Sequence, residues 1–431
     1  MRRIALHWRI LVAMALGVAI GLPLNVMAES GSVDPALAAR VAEIGGALGA
    51  LFLRLLQMIV VPLVFASLVS GVLGLGDPRK LGRLGWRTLA YYMVTSFIAI
   101  LTGLVLVNLI APGEGVAREA IAGGRTAVPD VVSEAETSVA AILWEQLLGM
   151  IPQNPIAAAA EGDMLPIIFF GIAFGVFAAL GPAEQAARIR GFFDTMLDVM
   201  MRMTMAVLEL APFGVFGFVL SAAAGAGLGA FEALGWYALT VAIALLVHGC
   251  ITLPAITWLI ARRSPLELAR AVAPALLTAF STASSNATLP LTLEHVEKSA
   301  KIPNRVGSFV LPLGATVNMD GTALYEAVAV LFIAQVYGAD LSLAQQGVVA
   351  VTALLASVGA AGIPHAGTVM MVVVLSAVGL PAEAVGLILA VDRVLDMART
   401  SVNVWSDVTA AAVVARWDSD MGSAEGDCRA G

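Results

Sequence analysis

Near the C-terminus, in the stretch VDRVLDMARTSVNVWSD, the residues Asp392, Asp396, Arg399, Asn403 and Asp407 are spaced 4, 3, 4 and 4 positions apart. At roughly 100° per residue, that spacing holds all five within an arc of about 80° on an α-helix. One face then carries three carboxylates, a guanidinium and a carboxamide, and apolar residues fill the other faces. Ionisable groups in a membrane-spanning helix are costly and face a protein interior or a watery cavity, so this constellation suggests a substrate or ion site. A solvated face of a soluble helix is the competing reading, and the composition of the whole chain argues against it.

Of the 431 residues, 59% are hydrophobic and 13% charged, with a mean hydropathy of +0.91. That is too little polar surface for a soluble globule, and several runs approach the ~20 apolar residues that a spanning helix needs. The expectation is an all-α polytopic membrane protein. The net charge of −7 says little about partners, because the placement of Lys and Arg sets orientation in a membrane. Cys250 and Cys428 offer neither a metal-ligand spacing nor a disulfide framework.

Arg2 and Arg3 precede an apolar run from Ile10 to Met27, longer than the core of a signal peptide, so a first membrane helix with a cytoplasmic N-terminus is expected. A polar segment from Glu29 to Arg40 follows. A second span, including LFLRLLQMIVVPLVFASLVSGV, ends at the basic cluster Arg79, Lys80, Arg83 and Arg87. YYMVTSFIAILTGLVLVNLI crosses outward to a polar segment from Ala111 to about Ser138, read as an external loop. Further apolar segments return to Arg188 and Arg190, and spans from about Asp194 to Ala222 and about Phe231 to Ile260 lead back to Arg262 and Arg263.

The segment from Pro265 to Val296 is apolar, yet basic residues flank it on both sides: Arg262, Arg263 and Arg270, then Lys298, Lys301 and Arg305. A re-entrant hairpin satisfies both flanks, with the polar run Ser281 to Thr288 as its tip. After Arg305 no Lys or Arg occurs before Arg393. A second hairpin, about 346–380 with its tip at GAAGIPHAG, keeps Arg416 and the tail cytoplasmic. Two opposed hairpins, each followed by a spanning helix, form an inverted repeat of the kind that places transporter sites near the midplane.

Between the hairpins lies Asn318-Met-Asp-Gly-Thr322, inside an apolar span. Asn, Asp and Thr supply hard oxygens, and Gly321 favours a local unwinding that exposes carbonyls to a cation. The combination suits Na⁺. A kink without an ion would account for Gly321 but leave Asp320 an unpaired charge.

PLGATVNMDGTALY, SSNATLP, GAAGIPHAG and LDMARTSVNVWSD, together with IPQNPIAAAAEGDMLPIIFFGIAFG and RLLQMIVVPLVFASLVSGV, resemble the dicarboxylate/amino acid:cation symporter family, which includes glutamate transporters. The likeness covers nearly the whole chain apart from the outer loop and the tail. It implies eight transmembrane helices plus two opposed re-entrant hairpins, a homotrimer, and an elevator in which a transport part slides past a scaffold. By that likeness the scaffold comprises about 1–75 and 126–222. The transport part comprises about 76–110 and 231–417, with hairpin 1 at about 265–296 and hairpin 2 at about 346–380.

Position by position, the resemblance implies that Arg399 pairs with a substrate side-chain carboxylate and Asp396 with its ammonium group. Ser285, Thr322, Thr400 and Asn403 supply polar contacts, and the backbone of Ile363 and Gly367 closes over the ligand. Asp407 with carbonyls near Gly314 and Asn318 resembles one Na⁺ site. Tyr92, Thr95, Ser96, Asn318 and Asp320 resemble a deeper one, and carbonyls around Ser357 a third. Asp392 supports the network on the last helix.

Three features differ within the family or from its pattern, at four positions. Ala283 stands where archaeal members have Arg, and Met397 where animal members have Arg, so that arginine is either missing here or replaced in its role by the nearby Arg393. His365 stands where many members have Gly. Glu326 matches the animal, proton-cotransporting members, whereas archaeal ones have Gln, which makes it the proton-coupling candidate.

The resulting expectation is a non-enzymatic secondary active transporter in the inner membrane of a bacterium, with both termini cytoplasmic. It takes up an acidic amino acid, aspartate or glutamate, with Na⁺ and a candidate co-transported H⁺, amid membrane lipid and without a nucleic-acid partner. Within the family, a C4-dicarboxylate carrier fits Asp396 poorly, since its substrates lack an ammonium group. A neutral amino acid carrier leaves Arg399 unused. An intramembrane protease lacks a Gly-x-Gly-Asp or Gly-x-Ser-x-Gly pattern, and an ion channel would not concentrate substrate against a gradient.

Overall fold

The computed structural model describes residues 6–74, 82–114, 148–161, 164–359, 366–381 and 384–427, and among them there are helices and no strands. In chain order the helices are α1 (Leu6–Glu29), α2 (Pro35–Gly74), α3 (Gly82–Ile110), α4 (Pro155–Glu161), α5 (Met164–Ala179), α6 (Ala183–Leu208), α7 (Ala211–Ala226) and α8 (Leu228–Val247). A π-helical turn, His248–Thr252, leads into α9 (Leu253–Leu259). Then come α10 (Pro265–Thr282), α11 (Ser285–Lys298), α12 (Asn304–Val317), α13 (Asp320–Val336), α14 (Leu343–Gly359), α15 (Ala366–Ala377) and α16 (Val385–Asp427).

Five stretches among the described residues are long and apolar enough to cross a membrane: Trp8–Glu29, Pro35–Phe52, Leu84–Ile110, Glu232–Leu259 and Asn304–Val336. The pair α6 and α7 makes a sixth if its 49° bend lies within one span. The sequence pattern treats this region as a single span. Pro212, in the first turn of α7, lacks an N–H to continue the ladder from α6, which explains the break. Likewise α2 starts at Pro35, well before the apolar run that marks it in sequence, and its 40 residues span roughly 60 Å at about 1.5 Å per residue. Its start is fixed by Asp34, whose Oδ1 accepts the Ala36 N–H at 2.9 Å, with Pro35 preset for a helical first position.

α1 and α2 both pack against α7. The backbones come very close, since a Cβ on Gly45 would lie 2.7 Å from the Gly217 carbonyl oxygen. Elsewhere α13 is the central element. Every residue from Asp320 to Ala334 is buried, and the helix packs against α3, α8, α14, α15 and α16.

α10 and α11 pack on each other as a helical hairpin. Ala283 turns the chain in the left-handed region, φ 51° and ψ 38°, and Ser284 caps α11 by accepting the Ala287 N–H at 3.2 Å. At the open end, Arg263 Nη1 donates to the Ala300 carbonyl at 2.5 Å, so the entrance and exit lie side by side. Basic flanks at both ends of this segment in the sequence are thus neighbours in space. α14 and α15 form a second packed pair; the tip residues 360–365, with Ile363 and His365, lie outside the described residues.

α12 and α13 are separated by Asn318 and Met319, whose ψ angles of 85° and 59° leave the helical region. The sequence reading placed this unwinding at Gly321. Gly321 is instead inside the first turn of α13, and its missing side chain serves close packing: a Cβ there would lie 2.8 Å from the Arg399 carbonyl oxygen.

Candidate functional site

α16 carries Asp392, Asp396, Arg399, Thr400, Asn403 and Asp407 along one buried face, each at most 6% exposed. Arg399 is held from several directions. Its Nη1 lies 3.1 Å from Asp392 Oδ1 and its Nη2 2.8 Å from Asp396 Oδ1. Its Cζ sits 3.8 Å from the centre of the Tyr325 ring on α13. A buried guanidinium needs such partners, because an isolated charge in this environment is very costly. Arg393 Nη1 approaches the other Asp396 oxygen, Oδ2, at 3.7 Å. Two carboxylates and two guanidinium groups therefore balance formally.

Around this ion-pair cluster stand neutral polar groups. Asn403 Nδ2 donates to Thr322 Oγ1 at 3.2 Å, and its Oδ1 accepts the Gly321 N–H at 2.8 Å. Asn403 thus satisfies one of the free N–H groups in the first turn of α13. Thr400 Oγ1 donates to the Asp396 carbonyl at 2.8 Å. Ser285, first residue of α11, donates to the Ala315 carbonyl at 2.9 Å, which docks the first hairpin against the end of α12. Gly367, near the start of α15, closes the other side: a Cβ there would lie 3.0 Å from Thr322 Cγ2 and 3.3 Å from Arg399 Cζ.

One turn further along α16 lies a second cluster. Asn318 Nδ2 donates to Asp407 Oδ1 at 2.9 Å and to Ser406 Oγ at 3.0 Å. Ser406 in turn donates to Asp320 Oδ2 at 2.6 Å, and Ser96 donates to Asp320 Oδ1 at 2.6 Å. Tyr92 donates to the Val310 carbonyl at 2.7 Å. The Asp407 carboxylate and the Tyr92 hydroxyl both crowd Gly314, where any side chain would collide with them. Asn318 Oδ1 is buried and has no hydrogen-bond partner among the described residues. A buried oxygen left over beside two carboxylates is what a cation site of hard oxygen ligands requires. Among the described residues no group of three or more His, Cys, Asp or Glu side chains stands close enough to hold a metal ion.

The sodium:dicarboxylate symporter family model matches residues 6–417. The chain belongs to the sodium:dicarboxylate symporter family. This is a family of transporters rather than enzymes. The chain is 35% identical over 419 residues to the proton/glutamate-aspartate symporter of Escherichia coli (strain K12), covering 96% of this chain and 93% of that protein. It is 34% identical over 427 residues to the proton/sodium-glutamate symport protein of Bacillus caldotenax, covering 99% and 97%. Excitatory amino acid transporter 4 of Mus musculus is 37% identical over 432 residues, covering 85% and 76%.

For this symporter-family chain, the residues singled out in the sequence fall into distinguishable groups. Thr322, Gly367, Asp396, Arg399 and Asn403 converge, with Thr400 bordering them, while Ser285 is bonded to the Ala315 carbonyl at the end of α12. Tyr92, Gly314, Asn318 and Asp407 meet in one place, whereas the sequence reading divided them between two cation sites. Asp320 is the adjoining carboxylate, and Ser96 donates its hydroxyl to it. Thr95 turns its hydroxyl onto its own helix, at 3.0 Å from the Tyr91 carbonyl. Ser357 donates its hydroxyl to the Leu354 carbonyl at 2.9 Å. Glu326 is fully buried on α13, and neither carboxyl oxygen has a hydrogen-bond partner among the described residues.

Sequence reasoning missed Ser406 and His248. For Ser406 a signal was present, because continuing the 4, 3 spacing from Arg399 through Asn403 reaches position 406 as well as 407. For His248 the only sequence signal was a histidine inside an apolar run.

Proposed function

We propose that this chain is a secondary active symporter that takes up an acidic amino acid, aspartate or glutamate, with Na⁺. The observation that carries the proposal is the buried cluster of Arg399 with Asp392 and Asp396, bordered by Thr322, Asn403 and Gly367. An acidic amino acid offers one ammonium and two carboxylates. It can exchange the internal Arg399–Asp396 pair for two pairs of its own, with Arg399 taking the side-chain carboxylate and Asp396 the ammonium. A dicarboxylate would leave Asp396 facing a negative group, and a neutral amino acid would leave Arg399 without a substrate carboxylate. The names of the relatives, glutamate and aspartate symporters among them, agree with this choice.

Coupling follows from charge. The cluster is formally balanced, so an acidic amino acid brings a net negative charge into a buried place, and a cation arriving beside Asp407 and Asp320 offsets it. Asp407, Asn318, Tyr92 and carbonyls near Gly314 would hold one Na⁺, and Asp320 with Ser96 another. Thr95 belongs to this second set, and carbonyls around Ser357 to a third. Glu326 favours a proton as a further coupled ion, because a buried carboxylate without a partner among the described residues is far costlier than the neutral carboxyl.

The architecture we propose has eight spanning helices and two re-entrant hairpins, α10 with α11 and α14 with α15. Three copies assemble through a scaffold of about 1–75 and 126–222, past which the part at about 76–110 and 231–417 moves. Both termini face the cytoplasm, in a bacterial inner membrane.

Uptake of labelled L-aspartate, L-glutamate and succinate into proteoliposomes, with Na⁺ and proton gradients imposed separately, tests the proposal. Accumulation of an acidic amino acid under an inward Na⁺ gradient is expected, with little succinate uptake. Glu326→Gln should remove any proton drive and keep Na⁺-dependent binding. If accumulation ignores both gradients, symport is refuted; if the wild type ignores the proton gradient alone, Glu326 is structural.

A further inference from the structure

His248 is completely buried in the first position of the π-helical turn His248–Thr252, and its Nε2 lies 3.1 Å from Asp320 Oδ2. Its Nδ1 has no partner among the described residues. These facts select the tautomer. With the proton on Nε2 the ring donates to the carboxylate; with it on Nδ1, a lone pair would face the carboxylate and an N–H would be buried unpaired. The turn that presents the ring is itself anchored. Trp405 Nε1, on α16 next to Ser406, donates to the Gly249 carbonyl at 3.1 Å. A π turn is a rare departure from the α-helix and is concentrated at functional places.

Asp320 therefore receives donors from three separate elements: Ser96 on α3 at Oδ1, and Ser406 on α16 and His248 at Oδ2. The two donors on Oδ2 use its lone pairs, and Ser96 takes one direction at Oδ1. Among the described residues, what remains is one lone-pair direction on Oδ1.

We propose that His248 is a positioning residue for a cation site at Asp320: by holding Oδ2 it orients the carboxylate so that Oδ1 faces the ion. This deepens the Na⁺-site reading above and rests on it. The role parallels outer partners of metal ligands, which fix a ligand's orientation and whose loss typically costs about 10–100-fold in ion affinity. A neutral donor suffices, and no change in protonation is invoked.

The test uses purified full-length protein and two readouts. One is stabilisation against heat by Na⁺ alone, with choline as control. The other is the Na⁺ concentration for half-maximal L-glutamate or L-aspartate binding. His248→Phe keeps a flat ring without a donor and should raise the half-saturating Na⁺ concentration by about tenfold or more, with amino acid binding recovered at saturating Na⁺. His248→Gln places an amide nitrogen near the position of Nε2 and should return the value to within about threefold of wild type. If the Phe variant does not fold in choline, His248→Asn replaces it, since its amide is too short to reach Oδ2 and should shift the Na⁺ dependence where Gln does not. An unchanged Na⁺ dependence in the Phe or Asn variant, or equal shifts in the donor-keeping and donor-lacking variants, overturns the assignment. A wild type that binds equally in Na⁺ and choline removes the sodium site itself, an outcome distinct from a failure at His248 alone.

Discussion

Arg399 and Asp396 sit three residues apart and bind each other at 2.8 Å, yet the proposed substrate asks them to separate their loyalties. Removing one member of a buried ion pair leaves the other uncompensated, at a cost of about 3–5 kcal/mol. Arg399→Thr is therefore expected to abolish binding of aspartate and glutamate by calorimetry while sparing a small neutral amino acid such as serine. Unaltered aspartate affinity would refute the carboxylate role. Asp396→Asn should weaken amino acids far more than any residual succinate binding, and equal losses would count against an ammonium contact. Asp407 poses a different question. Its partner Asn318 leaves one buried oxygen unused, so Asp407→Asn should move the Na⁺ dependence of amino acid binding to higher concentration without abolishing binding at saturation. A variant with wild-type Na⁺ dependence would exclude Asp407 as a cation ligand.

At the scale of elements, the site depends on how closely α13 and α16 approach. Gly321 permits that approach, because a methyl group there would press on the Arg399 carbonyl oxygen, which is backbone and cannot swing aside. Overpacking of this kind typically costs about 1–3 kcal/mol, so Gly321→Ala should lower the thermal midpoint and weaken acidic amino acid binding together. Retention of both at wild-type values would mean that the helices part freely. The same glycine shows what was legible in the sequence. Its neighbourhood was readable as a helix break with oxygen ligands, but the break itself falls at Asn318 and Met319. Low helix propensity marks a residue for breaking or for close packing, and only the opposing helix decides which. The polar face of α16 was readable because its spacing is a property of one helix. α10 and α11 pack as a helical pair where the flanking charges led to the expectation of a hairpin, and the Arg263–Ala300 bond brings its ends together. By contrast, the link from Asn318 through Ser406 to Asp320, and the contact of His248, join residues from different parts of the chain, and no local periodicity reports them.

For the whole molecule, the proposed mechanism requires one part to move as a body against another that stays fixed. α1, α2 and α7 have the closeness expected of the fixed part, with backbones near enough at Gly45 and Gly217 to exclude a side chain. One of the places where such movement would be accommodated is the contact of α16 with α7. There Phe218 of α7 lies against Gly386, and a Cβ on Gly386 would come within 2.8 Å of the ring's Cζ. Gly386 is in the first turn of α16, whereas Asp392 to Asp407 lie further along the same helix. A bulkier residue at Gly386 would press on the Phe218 ring of the proposed scaffold, a turn or more before the ion-pair cluster. Gly386→Leu is accordingly expected to depress uptake and exchange of L-aspartate in proteoliposomes by about tenfold or more, the effect of roughly 1.4 kcal/mol on a barrier. Its equilibrium affinity for Na⁺ and amino acid in detergent should stay within about threefold of wild type, because binding and movement are separate steps. Phe218→Ala in the same background should restore part of the rate by returning the lost space. Parallel losses of affinity and rate in the Gly386 variant would place the damage in the site, and an unchanged rate would show that the α7–α16 contact does not slide during transport.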